Sequence, residues 1–344
     1  MNKVTIVVPT YNVEAYIAKC LDSLIAQTSK EFEVLVINDG SPANEQKIIN
    51  RYVKEYPYIH SIQKVNGGYG SVLARAVESI ETPYMLICDP DDYLYPNTVS
   101  DLLSLMEKTS ADLVIGAKTL VYADNDEQVY DKSYNDSHAL LINRHVYERG
   151  TDEYDQLFFV EPSPHAKLYK TAYLKNLQFP EKVSYTDNIL YFMTIIQTEK
   201  VVYTSEPLAF YLINRVGNTR TDVKLSVINS WIAVFLSILQ QAKKLSSVPG
   251  IFYYRMFEGY KHIFNNKIDN VQATDDEFRL KLVELYQIIQ LLLPYKHNIR
   301  KYYYRFSEYQ IIEQLKDRLL LNKFSSKWIY QRMTEKKLYR RGTQ

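Results

Sequence analysis

The sequence predicts an α/β protein: a mostly parallel sheet flanked by helices, followed by a C-terminal helical region. Two observations carry that prediction. Over residues 3–117, short apolar runs alternate with helical periodicity, the pattern of strand–helix units laid on both faces of one sheet. From residue 225 onward the chain reads as helical almost throughout. The 344 residues therefore divide into an α/β domain over residues 1–224 and a helical domain over residues 225–344.

The elements follow in order. Val4–Val8 is a first strand, and after it Tyr16, Ile17, Cys20, Leu21, Leu24 and Ile25 form one apolar helical stripe, with Asn12 available to cap its start. Glu33–Ile37, Ile59–Lys64 and Tyr84–Cys88 are further strands, and Val72–Ile80 and Val99–Met106 are helices. Gly67-Gly68-Tyr69-Gly70 reads as a tight turn into a helix, since it lacks both the Lys-Ser/Thr ending of a P-loop and the glycine spacing of a dinucleotide fingerprint. Residues 118–224 are mixed, with β-like pieces at Val201–Tyr203 and Leu208–Leu212 and a helical pattern at Ile189–Ile196. Further on, Thr274 and Glu277 have capping-box spacing, and Phe278, Leu282, Leu285, Ile289 and Leu292 share one face.

Composition bounds the function. With 46% hydrophobic and 24% charged residues the chain can bury a sizeable core, which excludes wholesale disorder. Two cysteines, Cys20 and Cys88, give no disulfide framework and no zinc spacing, which fits a reducing cytosol. The first apolar run is too short for a signal peptide, and Val227–Leu239, broken by Asn229 and Ser230, falls short of the roughly 20 residues of a spanning helix. Charge is unevenly spread: residues 296–344 hold 13 Lys or Arg against 4 Asp or Glu, a net of +9, and residues 1–295 carry the compensating −8.

Polar clusters stand at the carboxyl ends of the strands, where open α/β sheets bind ligands. They are Pro9-Thr10-Tyr11-Asn12, Asp39-Gly40-Ser41, Asn66-Gly67-Gly68 and Asp89-Pro90-Asp91-Asp92. Three carboxylates within four residues repel one another unless a cation lies among them. A hard divalent ion, Mg²⁺ or Mn²⁺, takes oxygen ligands and bridges to substrate phosphates. An Asp-rich turn elsewhere would read as a solvated loop, with Asp92 or a neighbour capping the next helix; its place at a strand end favours a metal site.

Those residues resemble the family 2 glycosyltransferases of the GT-A fold. The resemblance rests on Pro9-Thr10-Tyr11-Asn12, Asn38-Asp39-Gly40-Ser41, Asn66-Gly67-Gly68 with Arg75, and Asp89-Pro90-Asp91-Asp92, and extends to Lys167-Leu168-Tyr169-Lys170 and Tyr185-Thr186-Asp187-Asn188. It spans residues 3–220 and does not include the helical tail. The resemblance implies that Pro9, Thr10, Tyr11 and Asn12 line a nucleotide site with Asn66 and Gly67. It implies that Asp39 accepts from a uracil ring, Arg75 lies near the donor, and Asp89 contacts ribose or sugar. Asp91, with Asp89, would hold Mn²⁺ or Mg²⁺, and Asp187 would be the catalytic base of an inverting transfer. Arg215 or Arg220, in the polar loop after Leu208–Leu212, would clamp the diphosphate; as solvated surface arginines they would read equally well. The sequence departs from the family pattern at Tyr69, where one branch has His, and at Thr186, where Glu is commoner.

The expected function is metal-dependent transfer of a hexose from a nucleoside diphosphate sugar, chiefly a UDP-sugar, to a hydroxyl of a glycan, glycoprotein or lipid-linked acceptor. Asp187 at the start of a helix would serve as an N-cap as readily on local pattern alone. A metal-dependent nucleotidyltransferase and a non-catalytic scaffold are the alternatives. The first would place a Gly-rich basic loop where Pro9-Thr10-Tyr11-Asn12 stands; the second is opposed by intact Asp91 and Asp187. His138, His145 and His165 show no metal-site spacing, although His165 falls in a resembling segment and could face the acceptor. In the tail, Lys301-Tyr302-Tyr303-Tyr304-Arg305 and Lys336-Lys337-Leu338-Tyr339-Arg340-Arg341 mix bases with aromatics. That mixture suits an anionic membrane surface, a helical cap or a homo-oligomer contact, and nucleic acid is not the expected partner. The expected location is cytoplasmic, peripheral to the inner face of the membrane where the tail binds it.

Overall fold

The computed structural model describes residues 2–136, 138–215, 225–268, 273–306, 320–324 and 326–342. The chain separates into two compact units, Met1–Lys182 with Thr186–Thr219, and Val183–Tyr185 with Arg220–Gln344.

Among the described residues the first unit is built on one ten-stranded sheet. Strand β1 (Val4–Thr10) lies between β2 (Phe32–Asn38) and β4 (Tyr84–Ile87), and β3 (Ile59–Gln63) pairs outside β2, all parallel. Parallel strands buried on both faces read as continuous apolar runs, and β1 is buried at every position. The crossovers are α1 (Ile17–Ile25), α2 (Glu45–Glu55) and α3 (Tyr69–Ser79). Ile17, Cys20, Leu21 and Leu24 of α1 pack with Val4, Ile6 and Val8 in the core; each such side chain contributes about 1.5–3 kcal/mol on burial. Asn12 does not cap α1. The helix begins five residues later, and Asn12 takes a left-handed conformation (φ +54°) with its N–H donating to Ser41 Oγ, so it shapes the loop after β1 instead.

Beyond β4 the sheet ceases to be parallel. After β5 (Tyr93–Leu94) and α4 (Thr98–Thr109) come β6 (Leu113–Tyr122), β7 (Gln128–Asp131), β8 (Val146–Glu148) and β9 (Lys167–Lys170). Strand β9 enters between β4 and β6, antiparallel to both. A long β10 (Lys200–Ile213) pairs parallel with β6 and antiparallel with β5 and β8. The parallel expectation holds through β4, and the mixed reading holds from β6 onward. Helix α5 (Asp187–Ile195) precedes β10.

The second unit contains α6 (Leu225–Ala242), α7 (Gly250–His262), α8 (Asp275–Leu292), α9 (Lys296–Phe306) and α10 (Lys327–Gly342). The capping box is present: Thr274 Oγ1 accepts from Glu277 N–H at 3.3 Å, and Glu277 accepts from Thr274 N–H at 2.8 Å. A Cβ on Gly259 of α7 would overlap the Phe235 ring of α6, so glycine there leaves room for that ring. Helix α6 is longer than the apolar run read from the sequence. At 18 residues and mean hydropathy 1.4 it could cross a membrane by length and composition, but half of it is buried inside the protein, as in a core helix.

Candidate active site

The ends of β1, β2 and β4 hold the first polar groups, where strand ends leave backbone groups unpaired. Thr10 is fully buried and its hydroxyl turns back to Val8 O at 3.2 Å, while Tyr11 beyond it is 49% exposed. Pro9 is buried inside β1, and Asn66 is exposed in the loop after β3. Asp39, after β2, is 2% exposed and accepts from Lys64 Nζ at 2.5 Å, Gly67 N–H at 3.0 Å and Gly68 N–H at 2.7 Å. A carboxylate offers about four lone-pair sites, and these donors occupy three of them. Asp39 thus clamps the glycine turn as well as facing the loops. Lys64, which neutralises it, was not singled out in the sequence; the pairing spans 25 residues and leaves no local spacing.

The glycines of that turn are required individually. Gly68 sits at φ +82°, and a Cβ on Gly67 would lie 2.5 Å from Ser71 Oγ. A Cβ on Gly70 would lie 2.5 Å from Pro180 O and 3.0 Å from Thr186 Cγ2. Lys182 N–H also donates to Gly67 O at 2.6 Å. The turn is therefore a seat for the segment that leads into Asp187. Alanine ordinarily favours a helix over glycine by about 1 kcal/mol. At Gly70 the overlap outweighs that gain, and Gly70→Ala is expected to destabilise the protein by about 1–3 kcal/mol and to lower activity further. Thermal melts with turnover rates check this; an unchanged or raised melting temperature would contradict it.

The carboxylate turn follows β4. Asp89 Oδ1 accepts from Tyr69 OH at 3.1 Å. Asp91 forms an ion pair with Arg215 Nε, both groups being largely buried. Asp92 is 3% exposed; its Oδ1 accepts from Leu212 N–H at 2.7 Å, and its Oδ2 shares a 2.6 Å hydrogen bond with His165 Nε2. Asp92 does not cap α4, whose first flanking residue is Asn97. His165 comes from the loop before β9, and its Nδ1 is buried with no partner among the described residues. Burial pushes the His165 imidazole down to about 4, so it is neutral at pH 7. Burial, with the like charges of Asp92 and Asp91, pushes Asp89 up to about 7. Donor atoms of Asp89, Asp92 and His165 lie within 4.8 Å of one another. Oxygen donors joined by one neutral imidazole, and carboxylates whose charge is only partly offset by Arg215, suit a divalent cation.

Asp187 is the first residue of α5. It is not the cap: Thr186 precedes it and makes no capping bond among the described residues. Asn188 Nδ2 donates to Asp187 Oδ1 at 3.2 Å. Burial raises the Asp187 carboxyl, opposed by the Asn188 hydrogen bonds and by His165 and Lys167. The glycine turn connects Asp187 with the β4 cluster: Tyr69 donates to Asp89, and Gly70 stands against Thr186, the residue before Asp187. Lys167, fully buried on β9, donates to Ser163 O at 2.6 Å, and burial lowers it to about 7.

Of the expected residues, Asp39, Gly67, Asp89, Asp91, Asp187 and Arg215 belong to this connected neighbourhood. Arg75 stands on α3 with its side chain half exposed and paired with Glu78 at 3.5 Å. Arg220 lies outside the described residues. Tyr69, Asp92 and His165 enlarge the site beyond the expected set; His165 and Asp92 are 73 residues apart, so spacing could not reveal them.

Residues 5–178 match the family described as Glycosyl transferase family 2. The chain is 25% identical over 275 residues to "Glycosyltransferase GlyA" of Streptococcus pneumoniae, covering 79% of this chain and 39% of that one. It is 23% identical over 270 residues to "Poly(ribitol-phosphate) beta-glucosyltransferase" of Bacillus spizizenii, covering 74% and 40% respectively. The chain therefore spans about two fifths of the length of these relatives. Among solved structures, Staphylococcus aureus TarS residues 1–349 in complex with UDP-GlcNAc superposes with a TM-score of 0.69 at 22% identity, covering 99% of this chain and 92% of that one. That likeness establishes a shared GT-A fold.

Proposed function

The chain belongs to glycosyl transferase family 2, and from that premise we propose that it is an inverting hexosyltransferase that takes a UDP-sugar and glycosylates a hydroxyl of a growing surface glycan. The observation that carries the reading is that the glycine turn touches both sides: Tyr69 donates to Asp89 at 3.1 Å, and a Cβ on the next residue, Gly70, would lie 3.0 Å from Thr186, the residue before Asp187, which supports one site with an electrophile-binding side and a base side. The nucleoside diphosphate leaves with excess negative charge. Asp91 and Asp89 would hold Mn²⁺ or Mg²⁺, with Asp92 and His165 beside them, and the cation would supply charge stabilisation to the diphosphate. Asp187 takes the proton of the attacking hydroxyl, so inversion needs one carboxylate and no covalent intermediate. Pro9, Thr10, Tyr11, Asn12, Asn66 and Asp39 surround the nucleotide in this reading, and Arg75, Arg215 and Arg220 are its candidate phosphate contacts. The UDP-GlcNAc bound to TarS supports uridine. The Bacillus relative, named for glucosylating a poly(ribitol phosphate), supports a polymer acceptor. A screen of nucleotide sugars for metal-dependent hydrolysis tests the reading: release of sugar from at least one UDP-sugar is expected, and inertness toward all of them contradicts it.

In the same reading residues 1–224 bind the donor and catalyse, and residues 225–344 contact acceptor, membrane or a second copy. Helix α10 supports the membrane, since Trp328 and Tyr339 are 63% and 76% exposed and Arg332 lies 5.0 Å over the Trp328 ring. Deleting the tail would remove Phe324 and Tyr330 from the core, so charge reversal is the cleaner test. Each base near an anionic surface is worth about 1 kcal/mol, so Lys327→Glu with Arg332→Glu and Lys336→Glu is expected to weaken binding to phosphatidylserine vesicles by about 100-fold or more. Equal sedimentation of both proteins would remove the membrane from the account.

A further inference from the structure

The glycine turn fixes one side chain that neither the metal nor the base role uses. Tyr69 stands between Gly68, held at φ +82°, and Gly70, pressed against Pro180 O. Its backbone has little freedom, so its ring direction is set by the fold and not by a loose rotamer choice. The phenol donates to Asp89 Oδ1 at 3.1 Å. A phenol oxygen can also accept, and no described residue donates to this one. The Tyr169 hydroxyl is fully buried and has no hydrogen-bond partner among the described residues. A Cβ on Gly70, the residue after Tyr69, would lie 3.0 Å from Thr186 Cγ2, which sets this turn beside the residue that precedes Asp187. A group with acceptor capacity to spare, tied to the donor-side carboxylate and near the base, meets the chemistry of a sugar hydroxyl.

We infer that Tyr69 is a positioning residue for the transferred sugar: its hydroxyl holds Asp89 in place and accepts a hydrogen bond from one hydroxyl of the donor hexose. This deepens the glycosyltransferase reading and rests on it. The sugar, not the nucleotide, is the part recognised, so loss of the phenol oxygen acts on sugar placement, while Asp91, paired with Arg215 and not with the phenol, would still hold the cation on the diphosphate. It acts through geometry and needs no proton transfer to or from Tyr69.

The test uses the full chain with Mn²⁺, comparing wild type and Tyr69→Phe. UDP affinity by calorimetry is measured beside kcat and KM for the UDP-sugar that wild type prefers and for its epimers. The expected result is a kcat/KM lower by about 10- to 100-fold, the loss of a hydrogen bond to a charged group, with UDP affinity within about twofold and discrimination between epimers reduced. A purely structural role would lower melting temperature and UDP affinity together and leave epimer ratios unmoved, and that outcome overturns the inference. So does a kcat/KM within about twofold of wild type for every sugar. If wild type itself turns over no nucleotide sugar, the glycosyltransferase reading falls first and takes this inference with it.

Discussion

Replacing Asp187 by Asn is expected to lower the transfer rate by about 10²- to 10⁴-fold while UDP affinity changes little. The amide keeps the size of the side chain and still accepts a hydrogen bond, so α5 and the seat formed by the glycine turn should persist. What is lost is the capacity to take a proton. A loss of 10³-fold corresponds to about 4 kcal/mol of barrier, far more than an amide substitution at a helix start costs in stability. The pH profile supplies the sign. The basic form is the active one, and burial raises this carboxyl, while the Asn188 hydrogen bonds hold the shift in check. Transfer should therefore fall as pH drops through a value above the ordinary carboxylate range, and the residual rate of Asp187→Asn should lack that limb. Rates of wild type and variant from pH 5 to 8, with UDP binding at each pH, check both statements; a variant that transfers at the wild-type rate removes Asp187 as the base.

Asp91→Ala is the second large effect. Asp91 is paired with Arg215, so its removal frees a guanidinium to face the remaining carboxylates, and in the proposed site it would also subtract an oxygen ligand. A divalent cation at a departing diphosphate is worth several kcal/mol, so metal-dependent turnover should drop by about 10²-fold or more. Removing the metal from wild type with EDTA should reproduce most of that loss, and EDTA should change the variant little. Mn²⁺ binding followed by electron paramagnetic resonance separates affinity from rate. Full activity in Asp91→Ala would move the cation to Asp89, Asp92 and His165, whose donor atoms already lie within 4.8 Å of one another.

What the sequence made legible was whatever leaves a local trace. Alternating apolar runs gave β1 to β4, and the stripe of Ile17, Cys20, Leu21 and Leu24 gave the buried face of α1. Thr274 and Glu277 marked the start of α8 because a capping box needs only a three-residue spacing. The carboxylates after β4 stood out because mutual repulsion makes them costly without a counter-charge. The insertion of β9 between β4 and β6 left no trace, since antiparallel pairing with distant strands is a tertiary choice. Asn12 has the chemistry of a cap, but the loop after β1 needed a residue tolerant of positive φ more than α1 needed a cap. His165 against Asp92, and Lys64 against Asp39, are partners across the fold whose pairing only the three-dimensional path reveals. Gly70 read as a turn residue; its second purpose, clearance for Pro180, depends on a segment more than a hundred residues away.

The central claim is that carboxylates at the tip of β4 and Asp187 act on opposite sides of one activated sugar. The most direct measurement is proton NMR of the anomeric signal during turnover of the preferred UDP-sugar, with Mg²⁺ present and then removed. The account expects an α-linked donor to give a β-configured product only while the metal is present. A product of retained configuration, or turnover indifferent to the metal, would contradict it.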